Sequence, residues 1–170
     1  MAANVEIKAR VSDVAQFVKL ASDVADGPAQ QLEQYDRFYP VPSGRLKLRQ
    51  FGDGTSELIF YQRTDTEGAK VSTYSRVSVI DADATHELLT SALGSSKIVK
   101  KRRRVWLVGR TRVHLDEVEG LGDFMELEVV LQKGEPPEVG FSEANDLRQK
   151  LDVGESELVA GAYVDLLADV

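Results

Sequence analysis

The chain has 170 residues, with 28 acidic against 21 basic side chains, a formal net charge of −7 and no cysteine. That length suits a single domain over residues 1–170, able to bury roughly 70% of the surface its unfolded form exposes. Disulfides, thiolate nucleophiles and cysteine-based metal sites are excluded, the acidic balance argues against nucleic-acid binding, and with no apolar signal core or run near ~20 apolar residues the expectation is a cytoplasmic protein that does not engage a membrane.

The first element reads as a strand over 3–11, in which Glu6, Lys8 and Arg10 alternate with Val5, Ile7 and Ala9. Successive strand side chains point to opposite faces, so acid and base share one face and the apolar residues the other. A helix follows, with Ser12 as its expected N-cap and Val14, Phe17, Val18, Ala21 and Val24 along one side. Strands are predicted over 34–39, 45–51, 57–63 and 70–80; Arg45, Lys47 and Arg49 alternate with Leu46 and Leu48, and Lys70, Ser72, Tyr74 and Arg76 with Val71 and Val77. Asp83 is the expected cap of a second helix carrying Leu88, Leu89, Ala92 and Leu93. Three more strands are predicted over 97–108, 111–118 and 124–132, with Arg112, His114 and Asp116 on one face of the second and Glu126 and Glu128 on one face of the third. Ser142 is expected to cap a helix with Leu147 and Leu151, and Ser156 to open a last one with Leu158, Val159, Ala162, Leu166 and Leu167.

A charged face on one strand means only that the face is wet. Its recurrence on strand after strand is different, because an antiparallel sheet of about eight strands curls or closes and the amphipathic helices need an apolar surface to cover. If they cover it from outside, the charges point inward. The predicted fold is α+β and β-dominated, an eight-stranded antiparallel closed barrel with a polar, charged lumen and helices packed outside.

The ordered blocks Asn4 to Arg10, Gly44 to Arg49, Lys101 to Arg103, Leu115 to Gly122, Glu126 to Glu128 and Ala162 to Leu167 resemble the CYTH proteins, or triphosphate tunnel metalloenzymes, over nearly the whole chain. That family includes class IV adenylyl cyclases and thiamine and inorganic triphosphatases. Its opening motif is Glu-x-Glu-x-Lys; here Asn4 replaces the first glutamate, and Glu6 and Lys8 match the rest. The resemblance implies a small-molecule triphosphate as partner and Mg²⁺ or Mn²⁺ as cofactor. It implies Glu6, Asp116, Glu126 and Glu128 as metal-site acids, with His114 on the Asp116 face. Lys8, Arg10, Lys47, Arg49, Arg63, Arg76, Lys101 and Arg103 are the implied triphosphate-binding cations, and Lys8 and Glu6 the catalytic residues. The expected reaction is hydrolysis of a nucleotide, thiamine or inorganic triphosphate; the alternatives are cyclisation of ATP to cyclic AMP and pyrophosphate, and triphosphate binding without turnover. A monomer or a homodimer fits equally.

Such chemistry suits a chain without a nucleophilic triad, since phosphoryl transfer needs positioning and charge neutralisation more than a covalent nucleophile. Three competing signals carry less. The basic run Lys100 to Arg104 is flanked by strand formers; Asp81-Ala82-Asp83-Ala84-Thr85 imitates a phosphatase signature but lacks a parallel sheet; Gly120-Leu121-Gly122 lacks the third glycine of a dinucleotide loop.

Overall fold

The computed structural model describes residues 1–170. Its strands are β1 (Ala2–Arg10), β2 (Gln30–Tyr39), β3 (Arg45–Phe51), β4 (Ser56–Arg63), β5 (Lys70–Ser78), β6 (Lys97–Val108), β7 (Thr111–Val118) and β8 (Gly122–Val130). The helices are α1 (Val14–Val24), α2 (Ala82–Leu93), α3 (Pro137–Lys150) and α4 (Tyr163–Ala168), with a 3₁₀ turn at Glu155–Glu157. The strands close into a barrel in the order β1-β5-β4-β3-β2-β6-β7-β8. Two meanders, β2 to β5 and β6 to β8, meet along β2 and β6, and β1 fills the remaining gap by pairing antiparallel with both β5 and β8.

The alternation in β1 sorts its side chains as expected. Val5, Ile7 and Ala9 are fully buried on the outer face, where they join Phe17 and Ala21 of α1 and Ala144 and Leu147 of α3 in the larger apolar cluster, together with Val113, Leu127 and Val129 of β7 and β8. The hydrophobic core therefore lies outside the barrel, between wall and helices. α3 approaches closely because Gly140 carries no side chain; a Cβ there would stand 2.7 Å from Val5 Cγ2 and 2.9 Å from Leu131 Cδ2. Glycine weakens a helix interior by about 1 kcal/mol relative to alanine, and here that cost is offset by contact.

The helix starts differ from expectation by small steps with clear causes. Asp13, one residue beyond Ser12, caps α1 by accepting from the Gln16 amide, and Asp81 rather than Asp83 caps α2 by accepting from Ala84. α3 opens at Pro137, five residues before Ser142, because proline fixes a helix-compatible φ at a position whose N–H needs no partner. The expected helix from Ser156 splits into the 3₁₀ turn and the six-residue α4. α4 also departs from the outside-packing expectation. Tyr163 and Val164 join Val99, Val118 and Phe124 in a second buried cluster that stops one end of the barrel. No helix is long and apolar enough to cross a membrane.

Candidate functional site

The inward faces of all eight strands line a cavity of about 560 Å³. Ten residues expected from the sequence meet there: Glu6, Lys8, Lys47, Arg49, Arg63, Arg76, Lys101, Arg103, Glu126 and Glu128. Arg10 does not, since it is exposed beyond the closed end with its guanidinium 4.8 Å from the Phe124 ring. Asp116 also stands apart from the other acids. It has no exposed surface, and its two oxygens accept from Arg103 Nε and Nη2 at 2.6 Å each while Oδ2 also accepts from the Tyr163 hydroxyl at 2.8 Å. Lys101 Nζ lies 3.5 Å from the same oxygen. In this arrangement Asp116 aims Arg103 into the lumen.

The closed end is built by the C-terminal segment. Lys8 Nζ lies 3.7 Å above the Tyr163 ring and Lys101 Nζ 4.9 Å from its centroid. Arg63 Nη1 and Lys70 Nζ donate to the Ala160 carbonyl, and Arg45 Nη2 donates to Asp165. At the opposite end the cavity reaches the exposed side chains of Arg76 and Leu107, with Leu32, Phe51, Val105 and Pro28 nearby. The lumen is a pocket with one charged, sealed floor and one partly apolar mouth.

Charge is segregated between its walls. β2, β3 and β6 carry Asp36, Lys47, Arg49, Lys101 and Arg103. Asp36 was not singled out by sequence, although it shares a strand face with Gln34 and Phe38, because its partners come from other segments. It is 2% exposed and accepts from Arg49 Nε and Nη2 at 2.7 and 2.6 Å and from Lys47 Nζ at 3.1 Å. Burial by itself would raise its pKa, but Arg49 and Lys47 hold it far below the ordinary carboxylate value. The cations outnumber that one acid, so burial and then Arg49 lower Lys47 to about 8, and burial and then Arg103 lower Lys101 to about 7. Crowded, desolvated lysines of this kind favour a polyanion that would restore their charge.

β1, β7 and β8 carry the acids. Lys8 pairs with Glu126 at 3.1 Å, Arg63 with Glu6 at 2.9 Å and Arg112 with Glu128 at 2.7 Å. Arg112 also lines the cavity; its alternation with Val113 marked the face but not the partner. Glu6 sits opposite Glu128 on the neighbouring strand. Burial raises the Glu6 pKa, Arg63 opposes that, and Glu126 and Glu128 add to it. Glu126, Glu128 and His114 each bring a ligand atom within 4.8 Å of the others. Burial followed by Arg103 lowers the His114 pKa, so its ring is neutral at pH 7. Converging carboxylates, held ionised or poised to ionise, fit a hard divalent cation by charge and donor type.

The CYTH domain matches residues 2–163. The chain belongs to the CYTH family. Among CYTH relatives, adenylate cyclase CyaB of Aeromonas hydrophila is 26% identical over 168 residues, spanning 94% of this chain and 85% of that protein. The solved structure of the PH1012 protein from Pyrococcus horikoshii superposes with a TM-score of 0.84 at 24% identity, covering 96% of this chain and 99% of that one. HpAC1 from Hippeastrum, designated an adenylyl cyclase and described as having a dominant triphosphatase activity, superposes with a TM-score of 0.67 at 15% identity over 98% and 95% of the two chains. At these identities the two structures speak for the barrel alone.

Proposed function

We propose that this CYTH protein hydrolyses a triphosphate in a divalent-metal-dependent reaction within the barrel. The observation that carries the reading is a lumen in which Lys47, Arg49, Lys101 and Arg103 share one cavity with the acids Glu6, Glu126 and Glu128, Arg103 Nη2 reaching Glu126 Oε2 at 3.2 Å. A charged hydrogen bond contributes roughly 1.5–3 kcal/mol net, so these cations suffice to hold a chain of phosphates. Arg103, pre-aimed by Asp116, and Arg49, pre-aimed by Asp36, bind it without first losing side-chain freedom. Glu126 and Glu128, with Glu6 beside them, would hold Mg²⁺ or Mn²⁺. Such an ion would supply positive charge to offset the negative charge that develops on the phosphates. Lys8, fixed between Glu126 and the Tyr163 ring, orients a phosphate oxygen or the attacking water. The sealed floor favours entry of the terminal phosphate first, with any organic group left among Leu32, Phe51 and Leu107 at the mouth.

A second reading, cyclisation of ATP to cyclic AMP and pyrophosphate, is favoured by the resemblance to the Aeromonas hydrophila cyclase. The purified protein should be incubated with tripolyphosphate, thiamine triphosphate and ATP, with Mg²⁺ or Mn²⁺, while phosphate and cyclic AMP are followed. Metal-dependent phosphate release is expected. Cyclic AMP with pyrophosphate would replace hydrolysis by the cyclase reading, and binding without either product would sink both.

A further inference from the structure

His114 is a lumen side chain that belongs neither to the phosphate-binding cations nor to the carboxylate set. It is 3% exposed, and its Nδ1 is buried without a hydrogen-bond partner. Leaving a buried polar atom unpaired costs about 1–3 kcal/mol, and such an atom in a native site calls for a partner, a bound ion or ordered water among them. The ring nitrogen stands 3.8 Å from Glu126 Oε2, too far for a hydrogen bond. That separation is shorter than twice a metal–ligand distance of about 2.1 Å, so one ion can touch both atoms. β8 also places Glu128 on the same face two residues on, within the same 4.8 Å cluster. The other buried polar atom without a partner on this wall is the amide oxygen Asn4 Oδ1, which is neutral and lines the same cavity.

We propose that His114 is a direct ligand of the ion held by Glu126 and Glu128, forming a mixed nitrogen–oxygen centre that prefers Mn²⁺ or another imidazole-accepting transition ion to Mg²⁺. The inference rests on the metal-dependent reading above and adds the donor and the selectivity. Mg²⁺ takes oxygen ligands and gives up its water reluctantly, whereas imidazole suits first-row transition ions. A ligand set in which a neutral nitrogen takes the place of one oxygen anion carries less of the charge on which Mg²⁺ binding depends. His114 is held in place for this role by β6 and β8, which pair it with Val105 and Glu126 in register.

The test uses the intact protein titrated calorimetrically with MnCl₂ and MgCl₂, alone and with a methylene-bridged tripolyphosphate analogue that contains no nitrogen. Pulsed electron paramagnetic resonance of the Mn²⁺-loaded wild type should show ¹⁴N coupling of a directly bound imidazole. His114→Gln should abolish that coupling and weaken Mn²⁺ binding by about 10–100-fold, with a change of less than about threefold for Mg²⁺. His114→Asp should move the preference towards Mg²⁺. Mn²⁺ bound by the wild type without imidazole coupling would overturn the proposal while leaving the metal-dependent reading intact, and this outcome needs no variant to fold. Failure of the wild type to bind any divalent ion under either condition would overturn both.

Discussion

The wall formed by β1, β7 and β8 and the wall formed by β4 and β5 enclose the same lumen but are supported very differently. Behind the first, Val5, Ile7, Val113, Met125, Leu127 and Val129 are completely buried beneath α1 and α3. Behind the second, Val77 is 61% exposed, and α2, the helix that follows β5, lies against β2 and β3 instead, burying none of its residues and presenting Leu88 at 69% exposure. The acids cluster on the backed wall, whereas Arg63 and Arg76 extend from the bare one. A metal centre tolerates only small errors in ligand position, so its carboxylates need a backbone that packing holds still. Long cations reaching for a phosphate chain can correct for a mobile support with their own rotamers.

Substitutions graded by wall can break this contrast. Asp116→Asn should have the largest effect, because it leaves Arg103 and Lys101 buried without their shared counter-charge; a loss of about 3–5 kcal/mol is expected by urea denaturation. Glu126→Gln should lower metal-dependent turnover by about 10²–10³-fold, the scale of one charge-stabilising group, with far-ultraviolet circular dichroism unchanged. Gly140→Ala must push α3 away from Val5 and should destabilise by about 1–3 kcal/mol despite the better helix former, measured by the shift in urea midpoint. If that variant were as stable as the wild type, the claim that α3 sets the position of β1 would fail.

Lys101 supplies a pH test of the opposite, cationic wall. Its folded pKa of about 7 lies below an unfolded value of about 10.4. Between those values the unfolded chain binds the extra proton, so the ligand-free protein should become more stable as pH rises from 7 towards 9. A bound polyanion favours the charged amine, and calorimetry at pH 8 in buffers of different ionisation enthalpy should show proton uptake on tripolyphosphate binding. Lys101→Arg should reduce that uptake, an effect equivalent to about 1.4 kcal/mol per pKa unit. Leu88→Lys on the exposed face of α2 should be smallest, within about 0.5 kcal/mol of wild type; a larger loss would mean that α2 is covered in solution.

The sequence was most legible where a local period decides the structure. Strict alternation in β1, β3, β7 and β8 separates lumen from core residue by residue, and eight such strands with amphipathic helices between them leave few arrangements other than a barrel. Boundaries set by one atom were not legible: Ser12 and Asp13 can both cap a helix, and only the position of Gln16 selects the second. α3 was read too short because its first turns meet the barrel through Gly140 and Ala144, small residues that make no apolar stripe. The Tyr163 floor was hidden for a related reason, since a six-residue helix has no usable period and its importance comes from Lys8, Lys101 and Asp116, at least 47 residues away along the chain. Asp36 and Asp116 were concealed by pairing across strands, since each meets its arginine on a neighbouring strand 13 residues away.

The position of β1 between β5 and β8 has a consequence for how the protein is made. Of the eight strands this one is made before the others, yet one of its two partners ends at Val130, so it must wait for its last partner with a backbone edge unpaired and its apolar face uncovered. Contacts this distant in sequence slow folding and lengthen exposure to aggregation. The alternating charges Glu6, Lys8 and Arg10 keep the waiting strand soluble and discourage it from pairing with itself, so the residues that later line and flank the chamber also protect the nascent chain until the barrel can close.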